Sequence, residues 1–114
     1  MSLSISTREN RFVTVFDLDG RLTLGDATDQ LRSSVRQEFE NGHKSILLNM
    51  SGVSYIDSAG LGELVALYTH IARKEGKLKL AGLSGRFVNL LQLTKLHTVF
   101  DIFENETLAV LSFD

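Results

Sequence analysis

Apolar and polar residues alternate in register along this chain, and the period changes from one segment to the next. Residues 11–18, Arg-Phe-Val-Thr-Val-Phe-Asp-Leu, are rich in β-branched and aromatic side chains and predict a strand. A short partner strand is expected near Leu3 to Ser6, with Arg8-Glu9-Asn10 as the turn between them. From Asp26 the period lengthens. Ala27, Leu31, Val35 and Phe39 recur every four residues and form one face of a helix that should stop at Asn41-Gly42. Ser45 to Met50 has an unbroken apolar centre, the pattern of an interior strand covered on both faces. A loop through Ser51 to Tyr55 is expected to follow.

Helical spacing returns at Leu61, Leu64, Val65, Tyr68, Ile71 and Ala72, and Gly76 is placed to end that helix in a left-handed cap. Leu78 to Ala81 starts another strand. Ser84-Gly85 opens a further helix carrying Phe87, Val88, Leu90 and Leu91, with a boundary near Thr94. The tail predicts a short strand at Asp101 to Phe103 and a small helix from about Glu104 to Leu111. The order β-β-α-β-α-β-α-β-α demands crossover connections. The fold class is therefore α/β: one domain over residues 1–114, with a mostly parallel mixed sheet, an antiparallel N-terminal hairpin and packed helices.

Composition narrows the function. The 114 residues are 43% hydrophobic and 23% charged, enough for a single core and unlike a disordered chain. Twelve Lys and Arg stand against fourteen Asp and Glu, both signs interspersed, for a net charge of −2. Direct binding to a nucleic-acid backbone is not expected from this balance. Without cysteine there is neither a disulfide framework nor thiolate chemistry. No apolar run approaches bilayer length and no signal-peptide pattern opens the chain, so a cytoplasmic location without membrane insertion is the expectation.

One stretch concentrates the candidate chemistry. In Ile56-Asp57-Ser58-Ala59-Gly60-Leu61-Gly62 an acid, a hydroxyl and two glycines meet where a strand gives way to a helix. Such loops, at the carboxyl ends of sheet strands, are where α/β proteins meet ligands and partners. Asp57 or Ser58 can cap the helix. The helix start can also receive an anion attached to Ser58 itself, which makes that hydroxyl a candidate phosphoacceptor.

Other arrangements carry less. A nucleophile elbow needs glycine where Ile56 stands. His43, His70 and His97 lack close ligand spacing, so no metal and no cofactor is expected. Asp17 and Asp19 read as strand-end polarity. Lys74, Lys77 and Lys79, clustered about Gly76, suit a helix C-terminus.

The sequence "LNMSGVSYIDSAGLGEL", together with "GRLTLGDA" before the first long helix, resembles the STAS domains of bacterial anti-sigma factor antagonists, and "DSAGLG" is similar to that family's phosphorylation motif. The resemblance spans the chain. It implies a non-enzymatic partner-switching protein with Ser58 as phosphoacceptor. Unphosphorylated, such a protein binds an anti-sigma factor serine kinase and so frees a sigma factor for transcription; the kinase breaks the complex by phosphorylating Ser58, and a serine phosphatase restores it. The implied contact surface comprises Gly20, Arg21, Thr23, Asp57, Ser58, Ala59, Gly60, Leu61 and Gly62. Thr23 stands where members of the family often carry Asp. A monomer when free is expected. The alternative within the family is an adaptor subunit of a lipid transporter or a stress-sensing complex, working without a kinase.

Overall fold

The computed structural model describes residues 3–114. A hairpin of β1 (Leu3–Asn10) and β2 (Val13–Leu22) opens the chain, followed by α1 (Asp26–Glu40) and the long strand β3 (Ser45–Ile56). Then come α2 (Ser58–Arg73), β4 (Lys77–Ala81), α3 (Gly85–Leu93), a 3-10 turn at Leu96–Thr98, β5 (Ile102–Phe103) and α4 (Glu106–Leu111). The five strands lie in sequence order in one sheet, with β1 antiparallel to β2 and every later neighbour parallel. The expected element order and sheet type are both present.

Strand alternation divides the apolar residues between two layers. Phe16, Leu18, Leu22, Ile46 and Leu48 point to the face covered by α1, α2 and α3, where they meet Leu31, Leu64 and Leu91 in the main core. Val13, Val15, Leu47 and Ala81 point the other way, onto Ala109, Val110 and Phe113 of the C-terminal segment. A period of two thus supplies both cores from the same strands. β3, sandwiched between them, needs the uninterrupted apolar run that its sequence shows.

Four local expectations are corrected. The hairpin turn falls at Arg11-Phe12, not at Arg8 to Asn10, because Asn10 still pairs with Val13; Arg11 takes the left-handed conformation at φ 59°. The segment expected as a loop, Ser51 to Tyr55, instead continues β3: Gly52, Val53, Tyr55 and Ile56 pair with Asp19, Gly20, Arg21 and Leu22. Glu75, not Gly76, is left-handed after α2. Gly76 is needed for close approach, since a Cβ there would overlap the Phe39 ring and the Ile71 side chain.

The fourth correction concerns the lysines. Lys79 is buried on the α4 side of the sheet, where its Nζ donates to the Ser112 carbonyl and hydroxyl, both at 3.0 Å, while Lys77 is exposed. Lys74 stands at the C-cap of α2 as expected, but Lys79 serves the opposite side of the sheet. The buried face of α2 also differs in detail from its sequence pattern. It carries Gly60, Glu63, Leu64, Leu67 and Ile71, whereas Ala72 is exposed. Glu63 tolerates burial because the Arg32 guanidinium of α1 meets its carboxylate at 2.6 Å.

Candidate functional site

The site is built where β3 hands over to α2. Asp57 is extended, the last residue outside the helix, and its Oδ1 accepts the Gly60 N–H at 2.8 Å. That bond satisfies one of the amides a helix start leaves without a partner. Its second oxygen, Oδ2, accepts the Leu24 N–H at 3.0 Å, from the loop between β2 and α1. One carboxylate therefore joins two segments 33 residues apart in sequence. The Asp57 N–H completes the link by donating to the Leu22 carbonyl at 3.3 Å.

Glycine is required inside this link. A Cβ on Gly60 would overlap the Leu22 carbonyl oxygen and press on the Leu22 side chain, so the first turn of α2 lies against the end of β2 only because position 60 has none. Gly62 is different. Its position is exposed, with nothing within 4 Å of where a Cβ would stand. Leu61, between them, is half-buried against the main core.

The electrostatics follow from these bonds. The Gly60 amide first and the Leu24 amide second hold the Asp57 carboxyl below its ordinary value of 3.8. A carboxylate fed by N–H donors stays charged at neutral pH. Ser58, the first residue of α2, is exposed, and its hydroxyl makes no hydrogen bond among the described residues. Capping falls to Asp57 alone. The hydroxyl next to it is left to solvent.

The remaining contact residues expected from the sequence lie along the same edge. Gly20 takes φ 116° where the register of β2 on β3 shifts, and its carbonyl accepts the Ser54 hydroxyl at 3.2 Å. Arg21 places its guanidinium 4.6 Å from the centre of the Tyr55 ring. Thr23 and Ala59 are half-buried. The structure brings together both quoted segments, "GRLTLGDA" and "DSAGLG", as one surface. It also adds two residues that periodicity did not single out. Leu24 is 77% exposed beside Asp57, and Tyr55 is 44% exposed beside Arg21. A leucine in a polar loop was the available signal for the first.

No histidine is placed to act on Ser58. His43 precedes β3 and His97 precedes β5, so both lie toward the starts of parallel strands, away from the end that carries Ser58. His70 follows Ser58 by twelve residues on α2, about 18 Å along the axis. Among the described residues no group of three or more His, Asp or Glu could hold a metal ion. No helix among them is long and apolar enough to cross a membrane.

The chain thus combines a sequential five-stranded sheet with one antiparallel edge, three helices on one face and a helix-start serine beside a capping acid. Residues 4–109 match the STAS domain, and the chain belongs to that family. Over 102 residues it is 28% identical to the anti-sigma-B factor antagonist of Bacillus subtilis, covering 90% of this chain and 92% of that one. Its fold is similar to that of the Bacillus cell fate determinant SpoIIAA in the phosphorylated form, with a TM-score of 0.75 at 20% identity over 97% of this chain and 100% of the other. It is also similar to a sulfate transporter family protein from Wolinella succinogenes, with a TM-score of 0.78 at 22% identity over 90% and 85% of the two chains.

Proposed function

We propose that this chain is an anti-sigma factor antagonist, a regulatory protein rather than an enzyme, which binds an anti-sigma factor serine kinase through the Ser58 face and is released when Ser58 is phosphorylated. The observation that carries the reading is the exposed Ser58 hydroxyl, free of hydrogen bonds among the described residues, at the start of a helix already capped by its neighbour. Similarity to the anti-sigma-B factor antagonist over nearly the whole of both chains supports it.

In the forward step the Ser58 oxygen attacks the γ-phosphorus of ATP on the kinase, the hydroxyl proton is lost, and ADP leaves. A phosphatase reverses the modification with water, releasing inorganic phosphate. The phosphoserine brings about −1.5 to −2 charges beside the Asp57 carboxylate. Because Asp57 and not Ser58 holds the helix start, the fold survives the modification. A partner seated on this face then meets a bulkier, strongly hydrated anion. Tenfold release needs a differential interaction of about 1.4 kcal/mol, within reach of lost contact and charge desolvation.

The test uses purified serine kinases of the anti-sigma class with ATP and magnesium. Intact mass should show one phosphate added to the wild type and none to Ser58→Ala, and calorimetry should show Ser58→Asp binding the kinase at least tenfold more weakly. Absence of transfer from every such kinase would overturn the reading. It would favour the second one, an adaptor domain working without a kinase, which the likeness to the transporter-family structure supports.

A further inference from the structure

β3 outruns one of its two neighbours. Its pairing with β4 ends at Asn49, opposite Ala81, whereas its pairing with β2 continues to Ile56. From Gly52 onward one edge of β3 therefore has no strand partner among the described residues. Such an edge presents a row of N–H and C=O groups able to pair with another chain. Short length and burial ordinarily protect such edges. Here the free edge instead borders a groove.

The groove runs between the end of β3 and the first turns of α3, and its lining includes Val53, Tyr55, Ile56, Phe87 and Leu90, with the exposed Arg86 among them. Its volume is about 90 Å³. That is smaller than the roughly 150 Å³ apolar cavity that takes benzene. The groove has room for one aliphatic side chain. Among the described residues Arg86 is the one charged side chain in its lining. Arg8 and Arg32 are held by carboxylates, but among the described residues neither Arg86 nor Arg21, stacked on Tyr55, has one within ion-pair distance.

We propose that this edge and groove receive an extended acidic segment of the protein partner. Its backbone adds to β3 beyond Asn49, one of its apolar side chains enters the groove, and a flanking carboxylate meets Arg86. The inference rests on the reading of Ser58 as the centre of a partner-binding face, since Tyr55 and Ile56 line the groove and lead directly into Asp57-Ser58. It adds a second point of attachment and states the chemistry of the segment that fills it.

Two measurements on the full chain test it. The first is an NMR titration of amide shifts with the peptide acetyl-Thr-Glu-Leu-Glu-Thr-amide, and with a control carrying lysine in place of both glutamates. Saturable shifts confined to residues 53–56 and 85–90 are expected for the acidic peptide, at least tenfold weaker for the lysine peptide. Arg86→Glu should weaken the acidic peptide about tenfold, and Arg86→Lys should keep most of the binding. An equal response to both peptides, or shifts that avoid the groove, overturns the proposal. Arg86 is exposed in the first turn of α3, where an acid suits the helix dipole, so Arg86→Glu should keep its thermal midpoint.

The second measurement is kinase affinity. Arg86→Glu is expected to bind the Ser58 kinase about tenfold more weakly. If the kinase phosphorylates Ser58 yet binds Arg86→Glu as tightly as wild type, the groove proposal fails while the switch stands. If no kinase modifies Ser58 but the acidic peptide still binds, the switch fails and the groove stands.

Discussion

Two polar regions of this protein stand on opposite sides of the sheet and use their groups differently. Under α4, Arg8 donates to both oxygens of Asp17, at 2.6 and 3.0 Å, and to both oxygens of Glu106, at 2.8 and 2.6 Å. Asn49 adds a donor to Asp17 and Asn10 adds one to Glu106. At the β3–α2 junction, Asp57 is likewise saturated with N–H donors, but the adjacent Ser58 hydroxyl has no partner in the described chain. The first region is closed upon itself and fastens the C-terminal helix to the hairpin. In the second, the carboxylate maintains the local geometry so that its neighbour is left available. A hydroxyl that contributes nothing to the fold can be modified without unfolding it.

The comparison is broken most severely at Gly60. A side chain there must displace the Leu22 backbone, and Gly60→Val is expected to cost about 3 kcal/mol by urea denaturation. Phosphate transfer to Ser58 should fall with it, because the same contact aligns the two loops. An unchanged denaturation midpoint would show that the junction yields easily, and its role as a rigid support would be lost.

The closed cluster gives a smaller effect with a distinctive pH dependence. Arg8, first among the causes, holds the carboxyls of Asp17 and Glu106 below their ordinary values of 3.8 and 4.5. Depressed carboxyls contribute stability that is fully present above the unfolded values and is lost as pH falls through the folded ones. Arg8→Ala should cost about 1 kcal/mol at pH 7, a figure discounted for the partial exposure of the guanidinium, and less below pH about 4. Denaturation at pH 7 and pH 3 checks the sign. A larger loss at pH 3 than at pH 7 would rule out the ion pairs as its source.

The smallest effect is expected at Ser58. Ser58→Ala removes a group without a partner and should change stability by less than about 0.5 kcal/mol. A substantial destabilisation would mean that the hydroxyl serves the fold, and the contrast between the two regions would disappear.

The junction itself was legible from its residue types. An acid, a hydroxyl and glycines between two apolar patterns mark a capped helix start, and Ser58 is the first residue of that helix. The link to Leu24 was not legible. Backbone amides leave no mark in a sequence, so nothing in "GRLTLGDA" announces that its Leu24 N–H binds a carboxylate 33 residues away. The continuation of β3 was hidden for a related reason. Ser51-Gly52-Val53-Ser54-Tyr55 has the composition of a loop, and it is a strand because β2 lies alongside it.

Lys79 shows the same division in one residue. Its alternation with Leu78 and Leu80 fixed that it must face the side of the sheet opposite theirs. Whether that side was water or protein depended on where the C-terminal segment folded back, and it placed Phe103 of β5 and Ser112 and Phe113, just after α4, around its ammonium group. The sequence by itself determined the element order, the periodicity of each face and the chemistry concentrated at Asp57-Ser58, because these depend on neighbours within a few residues. Only the tertiary structure decided which surfaces met, which polar groups were consumed in meeting, and which one was left over, because those outcomes depend on contacts between residues far apart in the chain.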